Sequence, residues 1–228
     1  MTQWHDIDAL RRHVLSFLDA REVLRVSVLN RAFRTAAGYM EAIRLLDSTP
    51  LNTNFHHIAT FFHATKNLSL EKCFLPLESL QFLSEFACLQ RIVLQDVVFL
   101  QDQHLAMLTR TAKQLTHLTV SSCHLLSYVE LIDAPALVHA TFHRNLNLRQ
   151  ITYTCNQPSV LTELRVTCSA MFQHADALVQ SIPSLTQASF TECGMLSQFI
   201  LTSVHPSLES LDLDRCTVLV VVDVYSCT

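Results

Sequence analysis

The sequence predicts an α/β solenoid preceded by a small all-helical module, and three observations support this. A nine-position pattern, mostly apolar at positions one, four and six, recurs from residue 65 to residue 216. Its copies start 22 to 26 residues apart, at Thr65, Leu89, Leu115, Leu137, Leu161, Leu185 and Leu208, with a weaker copy at Met40. The first 40 residues lack the pattern and contain three short stretches with helical apolar spacing. We therefore predict a helical module over residues 1–40 and a solenoid of about seven to eight repeats over residues 41–228.

The copy that starts at Leu115 shows the pattern most clearly. It reads Leu115-x-x-Leu118-x-Val120-x-x-Cys123 and resembles a leucine-rich repeat. Positions four and six lie two residues apart, so both side chains point to one side of a strand, which becomes the interior of the coil. One copy cannot bury its apolar residues alone, so neighbouring copies must stack. The resemblance implies a horseshoe whose concave face is a sheet.

The segments that return the chain to the next copy fall into two classes. Apolar residues at helical spacing follow four residues that commonly begin a helix, namely Asn54, Pro76, Asp102 and Ser169. We expect Pro76 in the first turn of its helix and the other three as helix caps. The strand pattern is repeated instead from Leu126, Leu148, Leu196 and Leu219. We expect helices on the convex side early and a flatter coil of two sheets later. Because no further copy follows Leu219, we also expect an open strand edge that recruits other strands.

Cysteine placement indicates structural thiols. Four of the eight cysteines occupy position nine, where the chain turns inward, namely Cys73, Cys123, Cys193 and Cys216. No C-x-x-C pair is present, so we expect no metal site at the cysteines. The N-terminus shows no signal-peptide pattern, and we expect free thiols in a reducing compartment, cytoplasmic or nuclear.

Composition excludes several function classes. Half of the 228 residues are apolar, 16% are charged and only two are glycine. Phosphate-cradling loops need glycine, so no nucleotide cofactor is expected. A net charge of −4 gives no support for nucleic-acid binding. No apolar run approaches the roughly 20 residues of a membrane span.

The N-terminal module carries a more specific pattern. The runs VLSFLD at 14–19, VLR at 23–25 and VLNRAFR at 28–34 resemble an F-box, and the repeats that follow resemble those of F-box leucine-rich-repeat proteins. The usual Leu-Pro falls at Asp6 and Ile7, and the usual tryptophan is Phe33. The resemblance implies binding to a Skp-type adaptor, which docks on a cullin in an SCF ubiquitin ligase, while the repeats hold a protein substrate.

The resemblance also implies which residues contact the adaptor. The matching positions are Leu10, Val14, Leu18, Val23, Leu24, Val28 and Phe33, some of which must pack within the module. Asp8 to Leu18 is predicted to form one helix. Asp19 and Glu22 have capping-box spacing for a second, and Asn30 is expected to cap a third. The alternative is a repeat scaffold outside any ligase, in which these helices only cap the solenoid.

Positions three, five and seven of each copy point outward onto the concave face. The candidate partner-binding residues there are His117, Thr119, Ser121, His139, His143, Arg165, Asp212 and Asp214. Strands in a stack lie about 4.8 Å apart, so the three histidines could share one patch, as partner contacts or as a metal or pH-sensitive site. The acidic C-terminal end mildly favours a basic partner. Nothing places a catalytic triad, and we predict a protein that is not an enzyme.

Overall fold

The computed structural model describes residues 4–16, 18–29, 31–46, 60–74, 86–201, 203 and 205–224. Three helices come first, α1 (Trp4–Leu15), α2 (Ala20–Leu29) and α3 (Arg31–Gly38). Two more lie between later strands, α4 (Asp102–Thr111) and α5 (Asp176–Gln180). None of the helices in these ranges is long and apolar enough to cross a membrane.

An eight-stranded parallel sheet forms the main face of the molecule. Its strands, in order across the sheet, are β1 (Ala42–Leu46), β2 (Asn67–Glu71), β3 (Arg91–Gln95), β4 (His117–Ser121), β6 (His139–His143), β8 (Glu163–Thr167), β9 (Gln187–Thr191) and β11 (Ser210–Asp212). The predicted repeat frame is confirmed, because the Leu118 of one copy pairs in register with Ile92 and Ala140 of its neighbours. The weaker copy at Met40 is also confirmed as β1. We use the name concave face for the outward surface of this sheet.

The core follows from the pattern. Position four is buried from Ile43 to Ala188, and position six is buried from Leu45 to Phe190. Each interior row therefore runs continuously across the stack, with Phe142 and Phe190 as its largest members. These rows confirm that the chain is a parallel repeat solenoid.

A left-handed residue follows each concave strand from β2 onward. Position eight has positive φ between 51° and 56° at Lys72, Asp96, Ser122, Arg144, Cys168, Glu192 and Arg215. The backbone N–H of this residue continues the ladder, as when Ser122 donates to the His143 carbonyl at 2.9 Å. The chain then turns inward and places position nine in the core. Glycine is scarce, so ordinary residues adopt a conformation that glycine would adopt without strain.

Most copies place a cysteine, asparagine or serine at position nine, and Val97 is the apolar exception. Cys73, Cys123 and Cys193 are buried as predicted, while Cys216 is half-buried, and all the cysteines that the structure describes are free thiols. Burial raises the pKa of Cys123 to about 11 and that of Cys193 to about 12, so neither is a reactive thiolate. In one repeat Asn145 replaces the cysteine. Its amide accepts from the Cys123 N–H and donates to the Val120 carbonyl, each at 2.9 Å.

The far side of the coil contains two small parallel sheets, which confirms the predicted extended returns. β5 (Tyr128–Ile132) pairs with β7 (Gln150–Thr154), and β10 (Gln198–Leu201) pairs with β12 (Val221–Val224). Helix α4 lies against the exposed edge of β5. The predicted helix after Asp102 is thus confirmed.

Two of the expected caps are wrong. Gln101 precedes α4 as the capping residue, and Asp102 instead accepts hydrogen bonds from the β5 edge. Ser169 caps no helix because it sits at position nine and is buried, with its hydroxyl bonded to the Thr167 carbonyl. Only α5 forms in that return. Asn54 and Pro76 lie outside the described residues.

Helix α1 differs from the prediction at both ends. It spans Trp4–Leu15 rather than Asp8 to Leu18, and it ends early because the Ser16 hydroxyl bonds the His13 carbonyl. The capping box is confirmed, since Glu22 N–H donates to Asp19 at 2.8 Å and Asp19 N–H donates to Glu22 at 3.0 Å. The predicted cap Asn30 lies outside the described residues.

Candidate protein-binding surfaces

The residues predicted to contact an adaptor separate into three groups by exposure. Leu10, Val14 and Val28 are 61%, 48% and 85% exposed. Leu18, Leu24 and Phe33 are half-buried and pack against the core. Val23 is completely buried, so it packs within the molecule and is removed from the set that a partner can reach.

The exposed group is unusual in its setting. On short helices, apolar residues at helical spacing normally face the core. Here Leu15, Ala20 and Val23 fill that role, and Leu10 and Val14 of the predicted apolar side of α1 remain in solvent. A second, apolar surface is therefore present on the same helices, and sequence periodicity alone did not separate it from the first.

A depression next to these helices was missed by sequence reasoning. It has a volume of about 560 Å³ and is lined by Leu24, Arg34, Thr35, Gly38, Tyr39, Thr60, Phe61 and His63. The Tyr39 ring is exposed and meets the His63 ring edge-on at 5.6 Å. Only the fold brings α3 and residues 60–63 together, so no local signal in the sequence predicts this surface.

On the concave face, two of the three predicted histidines meet. The rings of His117 and His139 stack with centroids 4.5 Å apart and an angle of 28° between their planes. They occupy position three of β4 and β6, which pair in register. His143 lies four residues further along β6 and belongs to another row, where its Nδ1 is 2.7 Å from the Thr167 hydroxyl. Thr119 lies half-buried on β4 between the two rows, and the half-buried Ser121 belongs to the row of His143, with which it pairs in register.

Position three extends the histidine pair on both sides. Across β3, β4, β6 and β8 it reads Arg91, His117, His139 and Glu163, and we call these four residues the histidine row. His139 Nδ1 is 2.8 Å from Glu163 Oε2, and Arg165 bonds the other oxygen of that carboxylate. Arg165 is exposed as predicted, but the sequence did not predict that it lies beside Glu163. Extending position three by one repeat in each direction would have found Arg91 and Glu163.

Hydrogen bonding fixes the proton positions of both stacked rings. The Thr116 hydroxyl donates to the Gln90 carbonyl at 2.9 Å, so its oxygen accepts from His117 Nδ1 at 2.8 Å. An ionised Glu163 can only accept, so His139 also carries hydrogen on Nδ1. In the neutral state, Nε2 of each ring is therefore the acceptor.

The electrostatics of the row follow from its neighbours. Burial lowers the pKa of His117, and the positive Arg91 lowers it further. Burial raises the pKa of Glu163, but hydrogen bonds from His139 and Arg165 outweigh this and hold the pKa below its usual value. Within the described part of the chain, no carboxylate pairs with Arg91.

A cleft of about 420 Å³ opens where the N-terminal helices meet the concave face. Its lining includes Leu18, Asp19 and Glu22 from the helical side and Arg44, Val93 and Arg91 from the sheet. Arg44 is held by Glu71 across β1 and β2, with Nε and Oε1 2.9 Å apart. The cleft joins the histidine row at Arg91, so the two form one continuous surface.

The C-terminal end of the concave face carries the predicted acidic pair. Asp212 and Asp214 are exposed, and the Asp212 carboxylate accepts from the Asp214 N–H at 3.1 Å. Arg215 contacts both Asp214 and Glu192. This arginine offsets part of the local negative charge, so the preference for a basic partner at this end is weaker than the sequence suggested.

Among the residues placed by the structure, no group of three or more His, Cys, Asp or Glu side chains is arranged to hold a metal ion. No protein-family model matches the sequence. No curated protein matches it either.

Proposed function

We propose that the chain is the substrate-recognition subunit of an SCF-type cullin-RING ubiquitin ligase. In this proposal the helices of residues 6–40 form an F-box that binds a Skp-type adaptor, and a leucine-rich-repeat solenoid binds a protein substrate on its concave face. The chain itself performs no chemical step. Such a subunit works in the cytoplasm or nucleus.

The exposure of Leu10, Val14 and Val28 carries the proposal. Three large aliphatic side chains in solvent on two short helices indicate a surface that another protein covers. They belong to the same residues that match the F-box pattern. Burying apolar area against an adaptor is favourable by about 25 cal/mol per Å².

Charge substitution at exposed positions tests adaptor binding without disturbing the core. Leu10→Asp combined with Val28→Asp should weaken capture of a purified Skp-type adaptor by about thirtyfold or more, the range of an interface hot spot. Leu125→Asp with Val220→Asp is the matched control, because these residues are 51% and 87% exposed but lie on the solenoid. The control should bind like the wild type. If the wild-type chain captures no Skp-type adaptor from its own cell, the ligase proposal fails.

One observation favours the alternative scaffold function. Leu15, Ala20 and Val23 belong to the same contiguous core as Ile43 and Leu45 of β1, and α2 packs on that strand. The helices therefore cover the first coil, as a terminal cap of a solenoid must. Under this alternative, Val23→Asp lowers the melting temperature of the whole solenoid while the wild type binds no adaptor.

A further inference from the structure

The histidine row is the part of the concave face where exposed positive charge is not offset. Of its members, Glu163 is already engaged by His139 and Arg165, whereas Arg91 faces solvent without a carboxylate partner among the described residues. The neighbouring outward residues Val93, Thr119 and Thr141 carry no charge. Any anionic group that approaches β3 to β6 therefore meets a positive guanidinium and two imidazoles.

We propose that the histidine row binds an acidic stretch of the protein partner, and that protonation of His117 and His139 strengthens this binding as pH falls. This inference rests on the proposed function, in which the concave face holds a protein substrate. It names the chemistry of that substrate as a run of carboxylates lying across β3, β4 and β6.

The geometry explains how the row changes with pH. Each ring already uses its Nδ1 hydrogen inside the protein, so a second proton must arrive at Nε2. That proton turns an acceptor into a charged donor, which can bind a carboxylate oxygen. Arg91 on one side and the stacked ring of His139 on the other oppose a positive charge on His117, and the partner carboxylate relieves that repulsion. Binding should therefore take up protons.

The charged and titratable groups around the pair come from β3, β6 and β8. Arg91 projects from β3, His143 lies further along β6, and Glu163 and Arg165 lie on β8. Glu163 is the single carboxylate in contact with the pair in the described structure, and Arg165 shares it. At neutral pH the group carries a small positive charge, and each proton that the stacked pair takes up adds to it.

A protein partner fits the row better than a nucleic acid does. The row offers one guanidinium and two imidazoles along a line of about three strands, whereas nucleic-acid sites use many Lys and Arg contacts to phosphates. The net charge of the whole chain is −4. Short-range contacts to a few carboxylates suit this distribution, and attraction of a long polyanion does not.

The test uses a fluorescein-labelled octapeptide of aspartate as the probe and the full chain as the binder. Fluorescence anisotropy is recorded at pH 7.5 and pH 5.5 in the same salt, since charge interactions are screened by ions. Aspartate stays ionised at both pH values. The wild type should bind about tenfold more tightly at pH 5.5, because protons taken up by the stacked pair place positive charge next to the bound carboxylates.

Three variants separate the row from the general charge of the chain. His117→Gln with His139→Gln should remove most of the gain at pH 5.5. His124→Gln with His174→Gln removes two exposed histidines elsewhere and should keep the gain. Arg91→Gln should weaken binding at both pH values, and melting curves check that each variant is folded.

Several outcomes would overturn the inference. One is that both histidine double variants lose the gain in affinity at pH 5.5 equally. Another is that the wild type does not bind the peptide at pH 5.5. An octathymidylate that binds more tightly than the peptide and depends on the same histidines would assign the row to nucleic acid instead. The adaptor plays no part in this assay, so its outcome is independent of adaptor capture by α1 and α2.

Discussion

The Asp102 carboxylate accepts a hydrogen bond from the backbone N–H of Ser127 at 2.9 Å, although 25 residues separate them. Its other oxygen accepts from the Tyr128 N–H at 3.0 Å. On the same helix, the Thr109 hydroxyl accepts from the Ile132 N–H at 3.0 Å. Side chains of α4 thus accept hydrogen bonds from backbone N–H groups at the edge of β5, which a preceding strand would otherwise accept. At this contact the helical return α4 meets the strand return β5 of the next coil.

Removal of the Asp102 carboxylate should therefore destabilise the solenoid. Asp102→Ala leaves two backbone N–H groups of the β5 edge without their acceptor, and we expect a loss of about 1–3 kcal/mol in the free energy of unfolding. Urea denaturation measures it. Gln103→Ala, at an exposed site on the same helix, is the control and should change stability by less than about 0.5 kcal/mol. Equal values for both would mean that Asp102 does not support β5.

Repeat periodicity predicted the solenoid because its signal is local and is repeated in every copy. Leu118 and Val120 share a strand face in any sheet, and the fixed step between copies sets their partners in the next strand. The stacked pair of His117 and His139 was predictable for the same reason. The capping box at Asp19 and Glu22 also depends only on a three-residue spacing.

Other features depend on contacts that spacing does not encode. Asp102 has the composition of a cap, but its actual partners lie in the next return segment. Leu10 and Val14 have the spacing of a core stripe, yet only the complete fold shows that Leu15 and Val23 fill the core instead. Ser169 resembles a helix cap in sequence but is required at position nine of the coil.

Asn145 should be among the least replaceable polar residues of the solenoid. It is completely buried and bonds the backbone of the preceding coil through both amide atoms. Asn145→Ala leaves the Cys123 N–H and the Val120 carbonyl unpaired, and we expect a loss of about 2–4 kcal/mol. Asn147→Ala is the control, because Asn147 is exposed and bonds only the His124 carbonyl. Chemical denaturation that gave the two variants similar midpoints would contradict a structural role for Asn145.

A core position and position nine should tolerate change differently. Leu118→Asp buries an unpaired charge and should prevent stable folding, whereas Cys123→Ser keeps a small group that can still bond the Ser121 carbonyl. We expect Cys123→Ser to lower the free energy of unfolding by about 1–2 kcal/mol. Thermal melts compare the two variants. If both variants lowered the melting temperature equally, position 118 would not face the core.

Glycine at position eight should stabilise the coil. Ser122 has φ of 55°, a conformation that costs a residue with a Cβ about 1–2 kcal/mol. Ser122→Gly removes that strain but adds entropy to the unfolded chain, for a net gain of about 0.5–1 kcal/mol. Ser121→Gly, one residue earlier in the strand, should instead lose about 0.5–1 kcal/mol. Opposite signs in urea titrations of the two variants would support the turn geometry, and a loss at both sites would refute it.

His104 should make the protein less stable in acid. Its Nδ1 accepts the Gln101 N–H at 2.8 Å, so Nε2 carries the hydrogen, and that atom is buried without a partner in the described structure. Burial lowers the pKa of His104, which means that the unfolded chain takes up the proton first. The stability from a neutral His104 is present above about pH 6.5 and is lost as pH falls towards the folded-state pKa.

The variant His104→Gln tests this directly. Glutamine at this helix position can still accept the Gln101 N–H, as in a capping box, but it does not titrate. The fall in the free energy of unfolding between pH 7 and pH 5 should therefore be smaller in His104→Gln than in the wild type. Because His117 also has a lowered pKa, part of the fall should remain. His124→Gln, an exposed control, should show the wild-type fall. If His104→Gln follows the wild-type curve, the buried imidazole is not the source of acid sensitivity.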